Sequence, residues 1–148
     1  MRIRLILMCI LAWPLLAACN GPTFVTPGGA LAGEVKPTPS DWEFATEFGT
    51  VQLETNPDDP YSVNISCVVM EGRLYAYAGE SYTQWAENIE KNANVRYRMD
   101  GVVYELRAER VVGKEEIAAF GEAWTAKGAF LQDPTQFPEV WLFELVAR

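Results

Sequence analysis

The dipeptide Asp100-Gly101 constrains this chain more than any other feature. Both residues tolerate the left-handed backbone that a two-residue hairpin turn requires. The flanking strands then fall in phase. Met99, Tyr97 and Val95 oppose Val102, Tyr104 and Leu106, while on the other face Arg96 opposes Glu105. A one-residue slip would move every apolar side chain to the polar face, so agreement on both faces specifies the register. The second strand runs on through Arg107, Glu109 and Val111.

The rest of the domain reads outward from this hairpin. Residues 50–55 alternate like a half-buried strand, and Asn56-Pro57-Asp58-Asp59-Pro60 is a dense turn signal. Residues 61–70 form a second strand with Val63, Ile65, Cys67 and Val69 on one face. Glu71-Gly72 returns the chain into residues 73–78, with Leu74, Ala76 and Ala78 on one face and Tyr75 and Tyr77 on the other. That aromatic face calls for a cover or a ligand. Ser81 with Gln84 fits a capping box, and Tyr82, Trp85, Ala86 and Ile89 form one helical stripe after it. Gly113 and Gly128 bracket a second helix striped by Ile117, Phe120 and Trp124. Residues 130–138 read as a loop, and the apolar run 140–146 as a closing strand between two neighbours. The expected fold is mainly β, of the α+β kind: an antiparallel six-stranded barrel with two or three short helices.

The first forty residues have a different texture. Arg2 and Arg4 precede an apolar run from Leu5 to Leu16, the length of a secretory h-region and too short to span a bilayer. Leu16-Ala17-Ala18-Cys19 resembles the bacterial lipobox, which implies cleavage before Cys19 and a diacylglyceryl thioether on its sulfur. Several acyl chains, at about 0.8 kcal/mol per buried methylene, make such an anchor effectively permanent. Asn20 is not the aspartate associated with inner-membrane retention, so the expected address is the outer membrane, facing the periplasm. Residues 20–40 carry four glycines and four prolines without a sustained apolar period and read as a spacer. The expected organisation is a signal peptide over 1–18, a lipidated cysteine and spacer over 19–40, and one domain over 41–148.

Charge and residue types narrow the chemistry. Loss of the leader removes Arg2 and Arg4 and no acids, taking the net charge from -8 to -10. Phosphate-rich nucleic acid is therefore not an expected partner. The chain has no histidine, which removes imidazole metal ligands and every histidine-based catalytic dyad or triad. No metal is expected; Asp58-Asp59 lacks calcium-loop spacing. With Cys9 in the leader and Cys19 lipidated, Cys67 has no intramolecular disulfide partner and reads as a small core residue.

The order of elements, a meander and hairpin, a tryptophan-bearing helix, a second hairpin, a helix and a closing strand, resembles the split β-barrel of the pyridoxamine-phosphate-oxidase-like flavoproteins and the deazaflavin-dependent nitroreductases. The likeness rests on Arg73-Leu74-Tyr75-Ala76-Tyr77, on Trp85, Asn88-Ile89, Asn92-Ala93 and Val95, on residues 105–111 and on residues 140–145, and it spans about 41–147. It implies FMN or a related flavin in a groove between two subunits of a homodimer, with Arg73, Ser81, Tyr82, Trp85 and Arg98 as cofactor-binding positions. It implies flavin-dependent reductase or oxidase chemistry, with no catalytic residue assigned. Where those enzymes carry a Gly-Arg-Lys-Ser-Gly-like loop, this chain has Asn56 to Pro60, with two acids. The alternative is a non-enzymatic envelope lipoprotein that binds a small ligand or a partner protein.

Overall fold

In the computed structural model of the protein, residues 21–148 are described; the leader and Cys19 lie outside them. The strands in chain order are β1 (Glu34–Lys36), β2 (Thr50–Thr55), β3 (Tyr61–Ser66), β4 (Val68–Met70) and β5 (Arg73–Tyr77), then β6 (Asn94–Met99), β7 (Val102–Arg110) and β8 (Leu142–Ala147). Helix α1 (Gln84–Lys91) lies between β5 and β6, and α2 (Lys114–Thr125) between β7 and β8. The strand order is β3-β2-β6-β7-β8-β5-β4, with β1 attached to β7. β3 and β4 stand at the two ends of that order, yet only Cys67 separates them in the chain. The sheet must therefore curl until its ends meet, and the architecture is a split barrel.

The Asp100-Gly101 hairpin forms in the expected register, Met99 opposite Val102, Tyr97 opposite Tyr104, Val95 opposite Leu106 and Arg96 opposite Glu105. Both turn residues have positive φ, 46° at Asp100 and 76° at Gly101, as a type I′ turn demands. β8 sits between β7 and β5, where a strongly apolar strand belongs. Leu53, Val95, Tyr97, Leu106 and Leu145 fill the barrel interior with α1 residues Trp85, Ala86 and Ile89. Outside the barrel, α2 lays Ile117, Phe120 and Trp124 over Tyr75 and Tyr77. The aromatic face of β5 is thus covered by the chain itself.

Three expectations are corrected. The count is eight strands rather than six, because residues 61–70 change partners at Cys67, β3 pairing with β2 and β4 with β5, and because β1 is added. The inward pattern of Val63, Ile65, Cys67 and Val69 runs unbroken through the switch. The cap of α1 is Thr83, whose hydroxyl accepts from the Ala86 amide; Ser81 lies outside the helix, and Tyr82 is not part of its stripe.

The third correction concerns the spacer. Much of it is strapped to the barrel: Gly28 bridges to Ser62, and Ser62 donates its hydroxyl to the Gly29 carbonyl at 2.7 Å. Buried Glu54 accepts the Leu31 amide, and Arg96 donates to the Leu31 carbonyl at 2.9 Å while pairing with Glu54 at 3.1 Å. Leu31 is only 2% exposed. β1 then runs parallel along Val102–Tyr104, the stretch of β7 beyond the end of β8. Gly33 allows this approach, since a Cβ there would lie 2.3 Å from the Gly101 carbonyl oxygen.

Cys67 is buried, donates its thiol to the Ala45 carbonyl at 3.3 Å, and has its pKa raised by desolvation. Gly33→Ala should lift β1 from β7, costing about 1–3 kcal/mol through overpacking. Thermal melting should show the loss, and limited proteolysis should cut residues 21–40 faster while the barrel resists.

Candidate functional site

The five positions singled out from sequence do not converge. Arg73 on β5 lines a cleft of about 310 Å³ with Ser40, Trp42 and Glu144. Its guanidinium is engaged by Glu116 at 2.8 Å and Glu144 at 3.3 Å. Burial alone would lower the Arg73 pKa, but electrostatic interaction with Tyr75 and the two glutamates outweighs it and raises it. Two carboxylates on one guanidinium leave little attraction for a further anion. Arg98 on β6 lines a separate cleft of about 280 Å³ with Thr50, Gln52, Asn64 and Asp100, and donates to the Gln52 side-chain oxygen at 3.0 Å. Trp85 is buried in the core against Phe143, with ring centres 5.9 Å apart. Ser81 is exposed in the turn before α1.

Tyr82 is the position around which a site assembles. The β5–β8 pairing extends past the strand ends, since the Ala78 amide donates to the Trp141 carbonyl at 2.9 Å and the Trp141 amide to the Gly79 carbonyl at 3.1 Å. Gly79, with φ of 76°, then turns the chain back, and Tyr82 folds onto Trp141 with ring centres 4.4 Å apart. Such a pair is worth about 0.5–1.5 kcal/mol beyond its buried area. Tyr82 remains 50% exposed, whereas Trp141 is buried beneath it.

Arg110, the last residue of β7, completes the corner. Its guanidinium carbon lies 3.7 Å from the centre of the Trp141 ring, a cation–π contact, and one nitrogen donates to the Val140 carbonyl at 2.7 Å. Glu90 on α1 lies 3.5 Å from Arg110 and Glu139 lies 3.7 Å away. The Arg110 Nε is buried without a hydrogen-bond partner among the described residues. Glu90 also accepts the Tyr82 hydroxyl at 2.8 Å, and this hydrogen bond is the main cause of the raised Tyr82 pKa.

Sequence reading missed Trp141 and Arg110. They meet because β7 and β8 pair with Arg110 opposite Phe143, a long-range register that no local motif encodes. The corner is far from Arg98, which pairs with Val103, seven residues and about 23 Å along β7 from Arg110. Chemically, the corner offers an exposed aromatic face on a fixed backing, with glutamates around a single cation. It suits a planar, uncharged or cationic aromatic group better than a phosphate, which the carboxylates would repel. Among the described residues no cluster of three metal-ligating groups occurs, and no helix is long and apolar enough to cross a membrane.

Neither a protein-family model nor a curated protein matches the sequence. The fold does match solved structures. A conserved hypothetical protein from Mycobacterium tuberculosis superposes with a TM-score of 0.57 at 22% identity, covering 72% of this chain and 77% of its own. A FAD-binding protein from Mesorhizobium loti gives 0.53 at 16% identity, covering 70% and 82%. A pyridoxamine 5′-phosphate oxidase candidate from Listeria innocua gives 0.51 at 14% identity, covering 68% and 85%. The chain has the split-barrel fold of these proteins.

In Glu90→Gln, the Tyr82 phenol loses its charged acceptor and should ionise at lower pH than in the parent chain. NMR titration of ring-labelled tyrosine checks this; an unchanged titration would remove Glu90 as the cause.

Proposed function

We propose that this chain is an outer-membrane lipoprotein, anchored through Cys19 and facing the periplasm, whose split barrel binds a flavin by its ring at the Tyr82 corner. What supports this reading is the half-exposed Tyr82 ring packed at a tilt on Trp141, ring centres 4.4 Å apart, with Arg110 set against the same indole. The fold shared with a FAD-binding protein supports the ligand class. Tyr82 would stack on the isoalloxazine, Trp141 would back it, and Glu90 would hold the Tyr82 hydroxyl in place. A bound flavin supplies hydride or electron transfer.

The fit extends to the ring and not to the phosphate. Glu87 and Glu90 act on Tyr82 electrostatically, and Glu139 lies beside Arg110. Two like charges about 4 Å apart in water repel by about 1 kcal/mol, and by more where solvent is excluded. The corner therefore favours an unphosphorylated flavin over FMN or FAD. A second copy, expected from the resemblance, belongs to the same proposal. The apolar cleft of about 420 Å³ lined by Val112, Ile117, Phe137 and Val140 offers it a surface.

The second reading, a non-enzymatic lipoprotein that binds a small ligand or partner, is favoured by the neutralisation of Arg73 and the burial of Trp85. On that reading one aromatic corner stands in place of a cofactor groove.

Titration of the mature chain with riboflavin, FMN and FAD separates these possibilities. Riboflavin should bind about fivefold or more tighter than FMN, the ratio that about 1 kcal/mol produces. Tyr82→Ala should weaken riboflavin about fivefold to tenfold, the loss of one stacking contact. Tighter binding of FMN that disappears in Arg98→Ala would move the ligand to the Arg98 cleft. No binding of any flavin would favour the second reading.

A further inference from the structure

Two of the most exposed apolar side chains among the described residues are neighbours, Phe24 at 94% and Val25 at 84%. Single exposed apolar residues are ordinary; an adjacent pair on a fixed turn is not. The Thr23 amide donates to the Thr26 carbonyl at 3.0 Å, and the Thr26 amide donates to the Thr23 hydroxyl at 3.3 Å. Asn64 on β3 donates its side-chain amide to the Thr23 carbonyl at 2.7 Å, tying the turn to the barrel. The Gly28–Ser62 bridge and the Glu54–Arg96–Leu31 contacts fix the chain that follows. The turn is therefore an outcrop tied to the barrel through Asn64, carrying Phe24 and Val25 at its tip.

The position of this outcrop relative to the anchor suggests its occupant. A Cβ placed on Gly21 would lie 3.5 Å from the Gln52 amide and 3.6 Å from the Arg98 guanidinium, so the chain reaches the barrel at the β2–β6 end. Cys19 is two residues earlier, and two residues of chain span at most about 7 Å. By the same rule Cys19 and Phe24 are at most about 18 Å apart.

We infer that the Thr23–Thr26 turn docks the domain onto the phospholipid surface that holds its own anchor, with Phe24 and Val25 entering the interface. The inference rests on the lipid attachment at Cys19 proposed above. With a net charge of -10 after loss of the leader, the domain is not drawn to an anionic bilayer over long range, so the covalent lipid brings it there and the apolar pair fixes its orientation. Arg98, whose side-chain partner is the neutral Gln52, then stands at headgroup level. The Tyr82 corner, at the other end of β7, faces away from the membrane.

The test uses the full chain, processed in cells and reconstituted into vesicles of phosphatidylethanolamine and phosphatidylglycerol. An environment-sensitive fluorophore is placed on Phe24→Cys and, as a control, on Phe130→Cys, an exposed position of the loop after α2. Buried Cys67 stays unlabelled. Mass analysis of the N-terminal peptide reports the lipid on Cys19. The expected result is a blue-shifted label at 24, quenched by nitroxide-bearing lipid and shielded from aqueous iodide, with the label at 130 behaving oppositely. A lipidated chain whose label at 24 remains open to iodide overturns the docking alone. A label shielded from iodide but untouched by nitroxide lipid assigns the turn to a second copy and also overturns it. An unmodified Cys19 overturns the anchor, and the docking with it.

Discussion

Closure of the barrel at Cys67 is the constraint from which the other features follow. One continuous segment supplies both terminal strands of the sheet, β3 against β2 and β4 against β5, with one residue between them. The resulting curl brings the two edge strands together end to end and wraps the sheet around the interior cluster, while a second apolar cluster lies outside it beneath α2. It also makes β7 the axis of the molecule, because this nine-residue strand serves β6 on one side and β8 and β1 in succession on the other. The two ends of β7 are consequently two distinct surfaces: the hairpin and N-terminal strap at one, and Arg110 with Trp141 and Tyr82 at the other.

What was legible in the sequence follows from the range of the signal. The Asp100-Gly101 hairpin was fully readable because turn chemistry and both faces of the pleat specify one register. The stripe of α2 was readable as well, although only the folded chain shows that it covers Tyr75 and Tyr77. The partner switch at Cys67 left no trace, because every second residue from Val63 to Val69 points inward on both sides of it. The strap was hidden for another reason. It is held by backbone groups, a buried glutamate and Arg96, not by a periodic apolar face, so glycine- and proline-rich sequence resembled a free spacer. Ser81 and Thr83 are both chemically able to cap α1, and local sequence could not choose between them.

The candidate site was legible only at Tyr82. The family likeness correctly indicated the split barrel, and it implied a groove between two subunits with Arg73, Ser81, Tyr82, Trp85 and Arg98 as cofactor-binding positions. Within one chain, Arg73 is neutralised by two glutamates, Trp85 is core, and Arg98 stands at the far end of β7 from the Tyr82 corner. Trp141 and Arg110 become neighbours of Tyr82 only through long-range strand pairing and the turn at Gly79. On the proposed reading, the acidic surroundings of that corner would admit a flat ring and oppose a phosphate.

Hydrogen exchange of residues 20–148 with and without riboflavin reports where a ligand sits without altering any residue. Binding at the Tyr82 corner should slow exchange only at residues 79–85 and 139–141, with the strap and the Arg98 cleft unchanged. Protection at Arg73 or Arg98 with none at the Tyr82 corner would contradict it.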